Sequence, residues 1–126
     1  MKLILLFSHK LTDEQIREAE NELKVEEFIY LPQELQYIWS NIPPEGELPI
    51  YIIDKFKRFI IDNAKQGDYI LIQGDFGATN HMVQWAKEKG FVPIYATSKR
   101  EYKSITNEDG SITNVHIFRH INFRRY

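Results

Sequence analysis

The chain opens on Leu3-Ile4-Leu5-Leu6-Phe7, an unbroken apolar run. Such a run fits a strand covered on both faces. Thr12-Asp13-Glu14-Gln15 then reads as a capping box, in which the threonine oxygen takes a free backbone N–H and Gln15 reaches back. Ile16, Ala19 and Leu23 follow at helical spacing. Phe28-Ile29-Tyr30-Leu31 is a second short strand. Pro32 opens the next helix, where its missing N–H is not needed. Leu35, Ile38, Trp39 and Ile42 form that helix's apolar stripe, and Pro43-Pro44 ends it. A further helix is expected from about Pro49 to Lys65, with Ile53, Phe56 and Ile60 on one face and Gly67 as its stop. Tyr69 to Gln73 is the third strand. Gly74-Asp75-Phe76-Gly77-Ala78 leads into a helix carrying Met82, Val83 and Ala86 that stops at Gly90. Val92 to Ala96 is the fourth strand. Tyr102 to Thr106 and Ile112 to Phe118 flank Asn107-Glu108-Asp109-Gly110, a hairpin signal.

Strands that alternate with helices imply a parallel sheet with right-handed crossovers. The expected fold is α/β: a Rossmann-like three-layer sandwich over residues 1–126, one domain. Its sheet order is 2-1-3-4, extended by the C-terminal β-hairpin. Ligands of such sheets bind beyond the carboxyl ends of the strands, where the strand order reverses. Here that point lies between strands one and three, and Ser8-His9 and Gln73-Gly74-Asp75-Phe76-Gly77 emerge there. The fourth strand delivers Thr97-Ser98-Lys99-Arg100 to the same edge.

Composition narrows the chemistry. The chain has 126 residues and no cysteine, which excludes disulfides, a thiolate nucleophile and thiolate zinc sites. The formal net charge is −2, so a generally basic nucleic-acid coat is excluded. DNA is not an expected partner. The charge is uneven: residues 1–62 carry 12 acidic and 7 basic side chains, and residues 63–126 carry 6 and 9. An anion site should therefore draw on the second half. Lys2 and the apolar run after it are too short for a membrane span, and Ser8-His9-Lys10 interrupts them. The expectation is a cytoplasmic protein with no membrane partner.

The segment around Gly74 is not a Walker A loop, since no Gly-Lys-Ser/Thr follows, and it lacks the dinucleotide spacing. Two glycines with a helix behind them still suit a phosphate. The plainer reading is a tight strand-to-helix turn with Asp75 as cap. Ser8 and His9 offer a hydroxyl and an imidazole; the plainer reading is a helix lead-in. Thr97, Ser98 and Arg100 offer hydroxyls and a guanidinium fork, or an ordinary polar connection. The tail from His116 to Tyr126 holds Arg119, Arg124, Arg125, His116 and His120 with no acid, interleaved with Phe118, Phe123 and Tyr126. Cations among aromatics suit phosphates and stacked bases, and also suit a solvated strand face. The strand ends supply only Asp75 as a clear carboxylate, which disfavours a metal-dependent nuclease. No metal ligand set and no cofactor are expected. A Gly-x-Ser-x-Gly elbow is absent.

Several segments together resemble the small CRISPR-associated Csx-twenty family, found beside type III CRISPR systems. They are Leu6-Phe7-Ser8-His9 with Leu11-Thr12, Tyr30-Leu31-Pro32 with Leu35-Gln36, and Trp39-Ser40-Asn41-Ile42-Pro43-Pro44. Gln73 to Ala78, Pro93-Ile94-Tyr95-Ala96-Thr97, Phe118-Arg119-His120, Phe123-Arg124 and Tyr126 complete the set. The resemblance implies a CARF-like fold, a homodimer and a cyclic oligoadenylate ligand. It further implies ring-nuclease activity that opens cyclic tetra-adenylate and switches off the antiviral signal.

The matched segments and the expected topology together make Ser8, His9, Gln73, Asp75 and His120 the candidate catalytic residues. The candidate ligand-binding residues are Gly74, Phe76, Gly77, Thr97, Ser98, Arg100, Arg119 and Arg124. His9 or His120 would act as general base or acid. Asp75 would bind ribose, pair with an arginine or cap the helix. Three other functions remain beside this one: a non-catalytic sensor or sponge for the same ring, a protein for another nucleotide, and a purely structural partner protein.

Overall fold

The computed structural model describes residues 1–126. It contains β1 (Lys2–Leu6), α1 (Asp13–Asn21), β2 (Glu27–Tyr30), α2 (Gln33–Ser40), α3 (Ile50–Asn63), β3 (Tyr69–Ile72), α4 (Phe76–Glu88), β4 (Val92–Thr106) and β5 (Ile112–Arg125). The five strands form one sheet in the order β2-β1-β3-β4-β5. The β1–β2, β1–β3 and β3–β4 pairs are parallel, and β4–β5 is antiparallel.

The apolar run in β1 is unbroken because both of its faces are covered. Ile4 and Leu6 join Ile70 and Ile72 of β3 beneath Trp39, Phe56, Ile60 and Met82 of α2, α3 and α4. Leu3 and Leu5 point the other way, to Leu71, Ala19 of α1, Ile94 and Phe123. Side chains alternate across a strand, so adjacent residues feed opposite layers. α1 starts on the expected capping box, with Thr12 Oγ1 accepting from Gln15 N–H at 3.2 Å and Gln15 Oε1 accepting from Thr12 N–H at 2.9 Å.

Three expectations need correction. The fourth strand does not stop at Ala96: β4 continues to Thr106, so the hairpin is the far end of β4 and β5 rather than a separate extension. A bulge between Thr97 and Ser98 lets the pairing run on past the body of the sheet. The third helix spans Ile50–Asn63, shorter than the expected 49–65, and Gly67 does not stop it. Gly67 instead lies in the turn before β3, at φ 89°. There Asp68 fixes the chain: its buried carboxylate accepts from the backbone N–H of Lys2 at 3.1 Å and Lys65 at 2.8 Å.

No helix is long and apolar enough to cross a membrane.

Candidate functional site

The crevice expected between β1 and β3 is filled from α2. Trp39 is buried, and its Nε1 donates to the Gln73 carbonyl at 2.9 Å. Gly74 lies against the same indole, where a Cβ would stand 2.6 Å from Nε1. The glycine is explained by this close approach. Beside it, the Ser8 hydroxyl accepts from Ser40 Oγ at 3.0 Å and the Ser8 carbonyl accepts from Gln36 Nε2 at 3.2 Å. His9 is exposed at this edge, its ring edge-on to Phe7 at 5.4 Å.

The open space lies one strand over, where β3 and β4 diverge. A cavity of about 370 Å³ is lined by Gln73, Gly74, Phe76, Thr79, Asn80, Val83 and Tyr126. The last paired residues of the two strands are Leu71 and Ile94. Beyond them two side chains take over the ladder. Gln73 Oε1 accepts from Ala96 N–H at 2.8 Å, and the Tyr126 hydroxyl donates to the Ile72 carbonyl. Burial, and secondarily the neighbouring Tyr95 hydroxyl, push the Tyr126 phenol above its ordinary value.

The start of α4 forms one wall. Asp75 caps it, accepting from Ala78 N–H at 3.0 Å. That is the plainer of the readings given for Asp75, and it occupies one carboxylate oxygen. The N–H groups of Phe76 and Gly77 lie in the first turn and have no intrahelical acceptor, so they are suited to an anion. Phe76 is 94% exposed at the rim. Thr79 Oγ1 is buried in the cavity wall with no hydrogen-bond partner. Around the corner, Arg124 Nη1 donates to the Tyr95 hydroxyl at 3.2 Å, and Tyr95 packs on Tyr126 at 4.8 Å. Arg124 thus meets Tyr95, which packs at a tilt on Tyr126 of the cavity wall.

The expected residues divide into three groups. Gln73, Gly74 and Phe76 meet at the cavity, with Asp75 as cap of α4 and Arg124 nearby; Gly77 turns instead toward Leu48. Ser8 and His9 stand at the same carboxyl edge, Ser8 tied to α2 and His9 against Phe7 of the α1-side layer. The remaining residues do not converge on the cavity. His120 faces α1 on the opposite side of the sheet, where Nε2 meets Glu18 Oε1, and Glu18 Oε2 accepts from Phe123 N–H at 2.7 Å. Thr97 is bound to Asn122, its hydroxyl donating to Oδ1 at 2.7 Å, and Ser98 stands across from His120. Arg100 covers the Phe118 ring at 5.1 Å, and Arg119 pairs with Glu101 at 3.7 Å. These arginines belong to the hairpin.

Thr79, Asn80, Tyr95 and Tyr126 are the site residues that sequence reasoning left out. Thr79 and Asn80 sit one turn into α4 behind Phe76, a spacing that was available. Tyr126 was not locatable without knowing that β5 returns along the full length of β4.

The model of the "Uncharacterized protein MJ1673 family" matches residues 1–124. The chain belongs to the MJ1673 family. A family relative from Methanocaldococcus jannaschii, "Uncharacterized protein MJ1673", is 53% identical over 125 residues, covering 99% of this chain and 96% of the relative. No solved structure matches the chain significantly. Because the MJ1673 match runs from β1 into β5, it takes in Gln73, the α4 turn and Arg124 alike.

Proposed function

We propose that this MJ1673-family protein binds a cyclic oligoadenylate, of the cyclic tetra-adenylate class, and opens it as a CARF-like ring nuclease. The observation that carries the reading is the cavity at the end of β3. It combines the helix N–H of Phe76, an exposed Phe76 ring and Tyr126, with Tyr95 tilted against Tyr126 and Arg124 behind Tyr95. Phosphates suit the amides and the guanidinium, and adenines suit the aromatic faces. The resemblance of the segments around Ser8, Trp39, Gln73 and Phe123 to the Csx-twenty family supports the same ligand. A symmetric ring suits a two-fold pair of such edges.

The chemistry needs no metal. An adenosine 2′-hydroxyl attacks its adjacent phosphorus, forming the 2′-O–P bond as the P–O5′ bond breaks. The products are a 2′,3′-cyclic phosphate end and a 5′-hydroxyl end. The 2′ proton goes to a base, and the departing 5′ oxygen takes up a proton. In-line positioning and charge stabilisation supply most of the acceleration. His9 is the imidazole at the carboxyl edge and is assigned the proton transfer. His120, bound to Glu18, is assigned to structure. Gln73 Nε2 donates to no protein atom while its Oε1 is held, so it orients ligand oxygen. The test is ring opening by the purified protein in excess EDTA.

A second reading is a sponge that binds the ring without cutting it. It is favoured by the engagement of Ser8, Gln73 and Asp75 in structural hydrogen bonds. Single-turnover product analysis separates the two.

A further inference from the structure

None of the seven residues that line the cavity between β3 and β4 is charged. Arg124 stands outside it, behind Tyr95. A phosphate drawn fully inside would shed its water without meeting a cation, which is costly. A neutral ring carries no such penalty. The volume of about 370 Å³ is that of a small-molecule site, and such sites are largely apolar with a few placed polar groups. Here Phe76, Val83 and Tyr126 supply the apolar part. The Phe76 side chain is free of neighbours and open to stacking by a base.

Phe76, Thr79, Asn80 and Val83 recur at helical spacing, so one stripe of α4 faces the cavity. Two polar groups on that stripe lack partners. Thr79 Oγ1 is buried and makes no hydrogen bond. Buried hydroxyls are nearly always paired, and the cavity is where a partner can enter. Threonine keeps two χ1 wells in a helix, so the hydroxyl can turn to an incoming group. Asn80 is exposed, and its Nδ2 donates to no protein atom. Its Oδ1 accepts from Gln84 Nε2 at 3.3 Å and keeps a second lone pair. Gln84 approaches from the neighbouring α3–α4 groove, which leaves the other side of the amide to the cavity. Asn80 thus offers one acceptor and one donor side by side. The Hoogsteen edge of adenine offers the converse pair, the N6 amino donor and the N7 acceptor, and an asparagine amide can meet both at once. Guanine and hypoxanthine show two acceptors there.

We infer that the cavity is a base-reading subsite that takes one adenine of the ligand, stacked on Phe76 and read on its Hoogsteen edge by Asn80. Thr79 supplies a further hydrogen bond, and the phosphates stay at the mouth. The inference deepens the proposed function and rests on its adenine-nucleotide ligand. Its own support is the charge-free lining and the two unpartnered groups of α4.

Titration of the whole protein with nucleosides tests it, read by amide chemical shifts in NMR spectra. Adenosine carries the base without a phosphate. It is expected to shift the signals of Phe76, Thr79 and Asn80, the Asn80 side-chain amide included. Inosine has an oxygen in place of the amino group and is expected to bind about fivefold or more weakly. Inorganic phosphate is expected to leave the Asn80 side-chain amide unmoved. Asn80→Leu is expected to weaken adenosine roughly tenfold and to abolish its preference over inosine. Phe76→Ala is expected to weaken both nucleosides alike, because stacking does not read the edge. Both positions are exposed, and matched circular dichroism spectra establish that the variants fold. Equal affinity for the two nucleosides, no adenosine shifts at these residues, or phosphate alone moving the Asn80 amide overturns the subsite. Cyclic tetra-adenylate is titrated separately. Adenosine read by Asn80 with no binding of the ring keeps the subsite and sinks the proposed function. Ring binding that Asn80→Leu leaves unchanged does the reverse.

Discussion

Gly74 and Trp39 hold the end of β3 in place together: the indole N–H donates to the carbonyl just before the glycine, and the ring occupies the space a Cβ would need. Gly74→Ala is therefore expected to destabilise the protein by about 1–3 kcal/mol, the usual range for overpacking. Trp39→Leu removes both the hydrogen bond and the obstruction. The cost of Gly74→Ala in that background is expected to shrink by more than half, which a double-mutant cycle from urea melts would show.

Tyr126 ties the last residue to β3, and its raised phenol pKa sets the sign of a pH effect. A folded value above the unfolded one, ordinarily about 10, means that the contribution is whole below about pH 10. It is lost as pH rises through the raised value. Wild type is expected to exceed Tyr126→Phe by about 1 kcal/mol at pH 7. The difference should fall steadily above pH 10 in denaturant melts.

Glu18 serves two groups at once, the His120 imidazole and the Phe123 N–H. Glu18→Ala leaves both without a partner on a largely buried face. The expected loss is about 2–4 kcal/mol, larger than for an exposed ion pair. His120→Ala is expected to lower stability while leaving the rate of ring opening within about threefold. A loss of rate at unchanged stability would return His120 to the reaction.

Much of this architecture was legible in the residues. Leu3 to Phe7 announced a strand buried on both sides, and Thr12 with Gln15 announced the start of α1. The strand order followed from alternation and handedness. The continuity of β4 was not legible, because Thr97 to Glu101 are polar and carry no strand periodicity of their own; pairing with β5 joins Val92–Ala96 to the hairpin arm at Tyr102–Thr106. The cavity at the end of β3 was not legible for a related reason. The general rule points between β1 and β3, and no local pattern told that Trp39 packs against Gln73 and Gly74 there. His120 was a candidate general base or acid, and no local pattern told that α1 brings Glu18 against it.

Arg124 and His9 divide binding from chemistry in the proposed site. Arg124→Ala is expected to weaken ring binding by roughly tenfold or more, as loss of one charge-assisted phosphate contact does. His9→Ala is expected to leave affinity within about twofold and to slow opening by about 10²-fold or more. Calorimetry and single-turnover chromatography together check both.

The central claim is that this chain takes a cyclic oligoadenylate at the end of β3 and opens it without a metal. The most direct test incubates cyclic tetra-adenylate with stoichiometric protein in excess EDTA and separates the products by chromatography. The account predicts linear oligoadenylate ending in a 2′,3′-cyclic phosphate. An intact ring with no detectable binding, for this and other cyclic oligoadenylates, would contradict it.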